Sequence, residues 1–438
     1  MSVFFNKRVL GAACLFTFLI LFCLSGDSQV SALDRSTYKQ IKTFTEVLDI
    51  VDRNYVEPVD SKKLMQGAIN GMMKTLDPHS AFMTEEMYKE LEVETKGSFG
   101  GIGIEITVLK DMLTVVSPIE DTPAFLAGVK AGDQIIKIDG QSTKDITIME
   151  AVTKLRGPKD SKVTITVVRE GLQKPKDITI ARAIIQIKSI KSRMLEKQIG
   201  YVRISSFQER TSDDLKKALQ ELRGKQSLAL RGLILDMRNN PGGLLAQSIE
   251  VSDDFLKSGT IVSTKGRIKS LESKAVAKDD GDEVSCPIVV LVNEGTASAA
   301  EIVSGALQDN GRALILGAQT FGKGSVQTVI PLEEGAALKL TTAKYYTPRG
   351  RSIQAEGITP DIAVKYVKPA EENGVETETI RERDLKGHIK AIGDEGKKPA
   401  DLQKRVFDDV SQDNQLKAAL DILKSWEVFQ SSRKMQDR

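Results

Sequence analysis

The apolar run PIVVLV, residues 287–292, leads through Asn293-Glu294-Gly295-Thr296-Ala297 into a helical pattern that begins near Ser298. A serine at that point lies beside unpaired backbone N–H groups and the positive end of the helix dipole. Such groups stabilise a developing oxyanion, so the position suits a nucleophile. On this segment alone, helix capping is the simpler reading, because capping serines are common.

A nucleophilic serine needs a base. The chain has only two histidines, His79 and His388, and both are remote from Ser298 in sequence. Lysine can serve instead once burial lowers its affinity for a proton. Lys323 stands between two glycines in Thr320-Phe321-Gly322-Lys323-Gly324-Ser325, where the backbone can bend and approach closely. Gln327, four residues further along an extended segment, shares the face of Lys323 and could hold its amine in position. Residues 317–323 also begin like a phosphate-binding loop. Gly324 stands where that motif wants Ser or Thr, and a strand pattern follows instead of a helix, so this reading is set aside. In LILDMRNNPGG, residues 233–243, a buried strand ends at Gly242-Gly243. Their N–H groups could help bind an oxyanion; the alternative is an ordinary strand-to-helix turn.

These residues need a framework. Residues 186–365 alternate strand and helix patterns and hold the largest apolar reservoir. GYVRISSF, RGLILDMR, PIVVLV and ALILGA read as strands; TSDDLKKALQELRGK, capped by Thr211 or Ser212, LLAQSIEVSDDFL and SAAEIVSGALQDN read as helices. Residues 95–185 carry short β-rich runs around one helix, TIMEAVTKLRG, and form a compact domain. Residues 33–94 read as a helical module, with Phe44, Val47, Leu48, Val51 and Tyr55 at helical spacing, and Met65, Ile69, Met72, Met73 and Leu76 likewise. Residues 366–410 are rich in Lys, Glu, Asp and Gly and read as a flexible linker or loosely packed excursion. The last helix, within 366–438, is striped by Leu416, Ala419, Leu420 and Leu423.

A chain of 438 residues predicts two to four modules. A net charge of +2 gives no electrostatic case for nucleic acid. Residues 1–32 read as an export signal or a retained signal anchor: Lys7 and Arg8, an apolar stretch from Val9 to Leu24, then a small-residue cleavage site at Val30-Ser31-Ala32. Cys14 and Cys23 fall inside that signal, which leaves Cys286. One cysteine makes neither an intramolecular disulfide nor a thiolate metal site, and Cys286 is expected to be a buried structural thiol.

GTASAAE, FGKGSVQT and LDMRNNPGG together resemble the C-terminal processing, or tail-specific, proteases, a bacterial and plastid serine peptidase family. Order and spacing agree, and so do TLDPHSAFM near the start and YYTPRGRSIQAEGITPDI near the end of the core. The resemblance covers about residues 35–365 and, more weakly, DNQLKAALDIL. It implies that Ser298 is the nucleophile, Lys323 the general base and Gln327 the residue that orients the lysine. It also implies that the backbone N–H groups of Ala299 and Gly243 bind the oxyanion, with Gly242 the alternative to Gly243. Asp309 fits the offset of a third member described in some relatives, but it ends a helix and reads as structural.

Residues 95–185 resemble a PDZ domain. Gly101-Ile102-Gly103-Ile104 matches its carboxylate loop, and SPIEDTPAFLAGVKAGDQIIKIDG supports the assignment. The N–H groups of Ile102, Gly103 and Ile104 would capture a peptide's terminal carboxylate, with apolar side chains receiving its last residue. The expected fold is α+β and multidomain: a PDZ-like β-barrel domain inserted beside a mixed α/β, crotonase-like peptidase core, with helical N- and C-terminal segments. The expected function is that of an exported endopeptidase of the bacterial cell envelope. It would cut protein substrates with apolar C-terminal tails, without metal or cofactor. An activating or adaptor protein and a homodimer built on the helical ends remain open as partners. Two other readings compete: a PDZ scaffold with a silent core, and a crotonase-like enzyme, against which stands the lack of an acyl-CoA signature.

Overall fold

The computed structural model describes residues 35–109, 112–169, 174–196, 198–224, 229–281, 283–367, 381–384, 389 and 413–436. The expected export segment, His388 and most of the charged 366–410 stretch lie outside the described residues. The chain divides into two units, one ending at Ile69 and one beginning at Asn70. The first contains helix Arg35–Asn54, on which Phe44 and Val47 of the expected apolar stripe are exposed, and the start of helix Ser61–Lys74.

In the second unit, period-two alternation in buried strands builds the core. Strands Ile190–Met194, Ile199–Ile204, Gly232–Asp236, Ile288–Val292, Leu314–Gly317 and Ile362–Ala363 form one sheet in that order. The first pair is antiparallel and the rest are parallel. Successive side chains of a strand point to opposite faces. Accordingly Leu233, Leu235, Val290 and Val292 pack with helices Thr211–Arg223, Leu245–Asp253 and Ala299–Asp309. Ile234, Val289 and Leu291 face the other way, onto Leu416, Ala419, Leu420 and Leu423 of helix Asn414–Gln436. Both faces of the parallel sheet are therefore covered, as such sheets require. The expected stripe on the last helix is the one that is buried. Cys286 is buried beside this core and is not in a disulfide.

A second, antiparallel sheet is organised by the long strand Ala337–Tyr346. Ser325–Pro331 runs along one of its edges. Ala81–Met83 and Thr260–Gly266 share the other. The helical stretch expected over 33–94 is thus interrupted by a strand. Just before it, the Asp77 carboxylate accepts from the N–H groups of His79 and Ser80 and turns the chain.

Residues 104–181 form the separate β domain: strands Ile104–Leu109, Met112–Pro118, Gln134–Ile138, Lys162–Val168 and Lys176–Ala181 in that order. Lys162–Val168 alternates, burying Val163, Ile165 and Val167 against Ala151 and Leu155 of helix Ile148–Leu155. That helix starts with a capping box between Thr147 and Glu150. Strands Ser98–Gly101 and Ala183–Gln186 pair with each other, so the domain leaves and rejoins the core through one ribbon. Helix Thr211–Arg223 is N-capped by Arg210, not by Thr211 or Ser212. The Thr211 hydroxyl instead accepts from the Gln208 N–H, which closes the preceding turn.

Candidate active site

Ser298 sits at the carboxyl end of the parallel sheet, where ligands of open α/β sheets bind. The turn that carries it, 293–298, is braced against the neighbouring turn after Gly232–Asp236. The Thr296 hydroxyl donates to Met237 O at 2.9 Å, Ala297 N–H donates to Asn240 O at 2.9 Å, and Asn239 and Asn293 exchange hydrogen bonds. Ser298 itself has φ 55° and ψ −116°. An ordinary N-cap residue adopts the β region. A left-handed serine costs of order 1–3 kcal/mol and persists only where its surroundings over-determine it. Ser298 is thus the N-cap of the helix, as the capping reading has it, but with a backbone that an ordinary cap does not adopt.

Glu301, one turn into the same helix, is fully buried and is the centre of the site. Its Oε2 accepts from the backbone N–H of Ser298 at 2.8 Å and from that of Lys323 at 2.9 Å. Its Oε1 accepts from Gly322 N–H and from the Thr320 hydroxyl. One carboxylate thus fastens the lysine loop to the serine turn. Burial pushes the Glu301 carboxyl up to about 7 despite these four donors. Sequence reasoning missed this residue, although S-x-x-E at a helix start is the signature of a reciprocal cap.

Lys323 lies in the loop before Ser325–Pro331, and a strand follows it, as expected. Burial, followed by the nearby Lys339, lowers its amine to about 8, and the charges of Glu382, Glu301 and Asp77 oppose that shift. The Gln327 amide donates to the Ser325 hydroxyl at 2.8 Å and to the Thr341 hydroxyl at 3.4 Å. Its N–H₂ is thereby fixed and its carbonyl oxygen is the atom left to accept from a lysine. Tyr345, also missed from sequence, links the two sides. Its backbone N–H donates to Gly324 O at 2.7 Å, and its buried phenol, raised to about 12 by burial, reaches the Ser298 side chain.

The expected oxyanion donors flank the serine. Gly242 and Gly243 have φ of 103° and 138°, values that only glycine adopts at ease. A Cβ on Gly242 would lie 2.7 Å from Ser298 Cβ, and one on Gly243 would lie 2.1 Å from Phe207 O. The Gly242 N–H is taken by Asn240 Oδ1 at 2.9 Å. Among the described residues, the N–H groups of Gly243 and Ala299 have no such partner. Asp309 stands at the other end of the helix, where it accepts from Arg349 N–H and pairs with Arg351.

In the β domain, Ile102, Gly103 and Ile104 line one groove together with Phe99, Ile106, Val152, Leu155 and Arg156. Arg156 stacks on Phe99 and forms a forked pair with Glu90 of helix Glu85–Lys96. His79, distant from the serine in sequence, is brought to Glu382, a residue of the charged stretch that proves fully buried.

The chain matches peptidase family S41 over residues 198–364 and a PDZ domain over residues 100–180. Residues 23–87 match the activating protease CtpB N-terminal domain. It is 49% identical over 360 residues to a carboxy-terminal-processing protease of Bartonella bacilliformis, covering 82% of each chain. It is 38% identical over 340 residues to the carboxy-terminal processing protease CtpA of Bacillus subtilis, covering 77% of this chain and 69% of that one. With CtpB of the same organism the identity is 36% over 340 residues, covering 76% of this chain and 69% of the relative. An α/β core with a strained serine at its strand ends, a PDZ domain beside it and relatives of this closeness assign the chain to the carboxy-terminal-processing proteases, serine peptidases of family S41.

Proposed function

We propose that this chain is an exported endopeptidase that holds the apolar C-terminal tail of a protein substrate in its PDZ groove and cuts the chain with a Ser298–Lys323 dyad. The observation that carries this reading is the Lys323 loop tied to the Ser298 turn through the single carboxylate of Glu301, with burial lowering the lysine amine to about 8. Neutral Lys323 removes the Ser298 proton as Oγ attacks the scissile carbonyl. The oxyanion accepts from the N–H groups of Ala299 and Gly243. The protonated lysine returns its proton to the leaving amine as the C–N bond breaks. The same amine then activates water, which releases the acyl group and restores Ser298. Gln327 holds the amine through its free carbonyl oxygen. No step calls on a metal or cofactor.

In the groove, the N–H groups of Ile102, Gly103 and Ile104 receive the terminal carboxylate while Val152 and Leu155 receive the last side chain. Lys7, Arg8 and the apolar stretch that follows support export to the cell envelope. The exposed apolar stripe of helix Arg35–Asn54 supports a homodimer, and the match to an activating-protease N-terminal domain supports a partner that controls activity.

The test is mass spectrometry of the products formed from an unstructured protein with an apolar tail. The wild type should cut, with kcat/KM rising with pH through about 8 as Lys323 loses its proton. Ser298→Ala and Lys323→Ala should not cut, and a substrate ending in Asp-Asp should be cut slowly. Cleavage that survives Lys323→Ala would show that the base is another group.

A further inference from the structure

The direction in which a side chain leaves its Cα is set by the two flanking peptide planes, because each plane is rigid and only φ and ψ join them. Lys323 has glycine on both sides, so its loop has little stiffness of its own and the planes must be held from elsewhere. The plane before Lys323 is held at both ends. The Gly322 carbonyl accepts from Ala355 N–H at 2.7 Å, and the Lys323 N–H donates to Glu301 Oε2 at 2.9 Å. The plane after it is held through the Gly324 N–H, which donates to Gln354 Oε1 at 3.0 Å. Among the described residues no hydrogen bond reaches the Lys323 carbonyl, so Gln354 is the one tie on that plane.

The side chain of Gln354 is fully buried, and the two loops lie so close that a Cβ on Gly324 would be 2.2 Å from Gln354 N. Only one orientation of its amide fits. Its Nε2 donates to Glu382 Oε1 at 2.9 Å, and a carboxylate only accepts. The amide N–H₂ therefore faces Glu382, and the carbonyl oxygen faces the Gly324 N–H. Glu382 is itself held: its carboxylate meets His79 Nε2 at 2.7 Å, and its backbone N–H donates to Phe321 O at 3.1 Å. The polarity of one buried carboxylate is thus passed through one amide to the backbone beside Lys323.

We propose that Gln354 is a positioning residue for the base: with its amide turned by Glu382, it fixes the peptide plane between Lys323 and Gly324 and so aims the Lys323 amine at Ser298. This inference rests on Lys323 being the base, as in the proposed function. The two planes about Lys323 are then held by different elements, one by Glu301 of the serine helix and one by the loop that follows strand Ala337–Tyr346. Loss of the second tie frees ψ of Lys323, and displacing a reacting group by about 1 Å can cost about a hundredfold in rate.

The experiment is the labelling of Ser298 by a fluorophosphonate probe in the full-length protein, resolved into probe affinity KI and maximal rate kinact on the pH plateau where the base is neutral. Gln354→Leu removes both hydrogen bonds at similar volume. It should lower kinact by about tenfold to a hundredfold and leave KI unchanged. Gln354→Glu sets two carboxylates against each other and should lower kinact as well. The swap, Gln354→Glu together with Glu382→Gln, restores an acceptor for Gly324 and a donor–acceptor pair between the two side chains. It should bring kinact back to within about threefold of the wild type, which a merely space-filling role would not produce. If Gln354→Leu shows no cooperative unfolding transition, the swap decides alone. A swap that does not fold, or that labels no faster than Gln354→Glu, overturns the proposal. So does a folded Gln354→Leu or Gln354→Glu with the wild-type kinact, whatever its stability to urea. Lys323→Ala separates the two levels. If it abolishes labelling while Gln354→Leu keeps the wild-type kinact, only the positioning role is wrong. If it labels like the wild type, the dyad fails and the positioning role with it.

Discussion

Ser298 and Lys323 come from different elements, and a third side chain joins them. The Glu301 carboxylate offers four acceptor sites and meets four donors, two on each oxygen. An amide cannot replace it, because its N–H₂ would face two of those donors, each left unsatisfied at about 1–3 kcal/mol. Glu301→Gln is therefore expected to lower kcat/KM by at least about a hundredfold and to slow active-site labelling alike. The pH dependence has a definite sign. Folding raises the Glu301 carboxyl from its ordinary 4.5 to about 7, so across that window the folded chain binds a proton that the unfolded chain has released. This contribution to stability is complete below 4.5 and lost as pH rises through about 7. The amide variant has no such loss. The gap between wild-type and Glu301→Gln unfolding free energies should narrow over that range, as measured by urea denaturation at several pH values. Ser298, Lys323 and Gln327 stand out in sequence because their neighbours are unusual: an apolar strand before the serine, glycines about the lysine. Glu301 was visible as the third residue of a reciprocal cap. Glu382 and Tyr345 gave no local signal. Glu382 contacts His79 across 303 positions, and a charged neighbourhood hides a buried acid.

The elements were easier to read where periodicity governs burial. Leu416, Ala419, Leu420 and Leu423 recur at helical spacing and close one face of the sheet. Ala81–Met83 was missed because three residues are too few to show a period, and its pairing with Ala337–Lys339 is a product of the fold. The same sheet shows why the last helix matters to the site. Arg238, fully buried just after strand Gly232–Asp236, is held by Asp236 and by Asp413 at the start of that helix, with Gln415 as a further acceptor. The strand end that leads to Gly242 and Gly243 is therefore fixed in part from the C-terminal side. Removing one partner of a buried pair leaves a charge uncompensated. Asp413→Ala should cost about 3 kcal/mol. Leu420→Ala, which deletes only apolar contact, should cost about 2–5 kcal/mol. The two differ in function. Asp413→Ala should also lower kcat/KM by loosening the Arg238 turn, whereas Leu420→Ala should leave kcat/KM per folded molecule unchanged. Urea unfolding and kinetics on the same samples check both.

The proposed function, a tail held in one domain and a cut made in another, asks for a coupling between the two. The β domain joins the core through the ribbon Ser98–Gly101 with Ala183–Gln186, and through Arg156, which leaves the groove to reach Glu90. Arg156 lines the groove and touches Phe99, so a peptide entering there meets the same side chain that holds Glu90. A partly exposed ion pair between two surface elements is worth little, about 1 kcal/mol where solvent screens it. A bound tail can displace it at little cost, which suits a contact meant to change. Val152, half-buried on the groove wall, gives the separating experiment. A carboxylate there opposes a terminal carboxylate and an apolar side chain alike, without touching Ser298 or Lys323. Val152→Asp should lower kcat/KM for an apolar-tailed substrate by about tenfold or more while leaving the basal labelling rate of Ser298 unchanged. If tail binding also releases the core, a free apolar-ended peptide should speed labelling of the wild type and have no effect on Val152→Asp. A peptide that binds the wild type, by calorimetry, yet changes labelling in neither protein would reduce the PDZ domain to a tether. The Arg156–Glu90 pair would then be a structural brace.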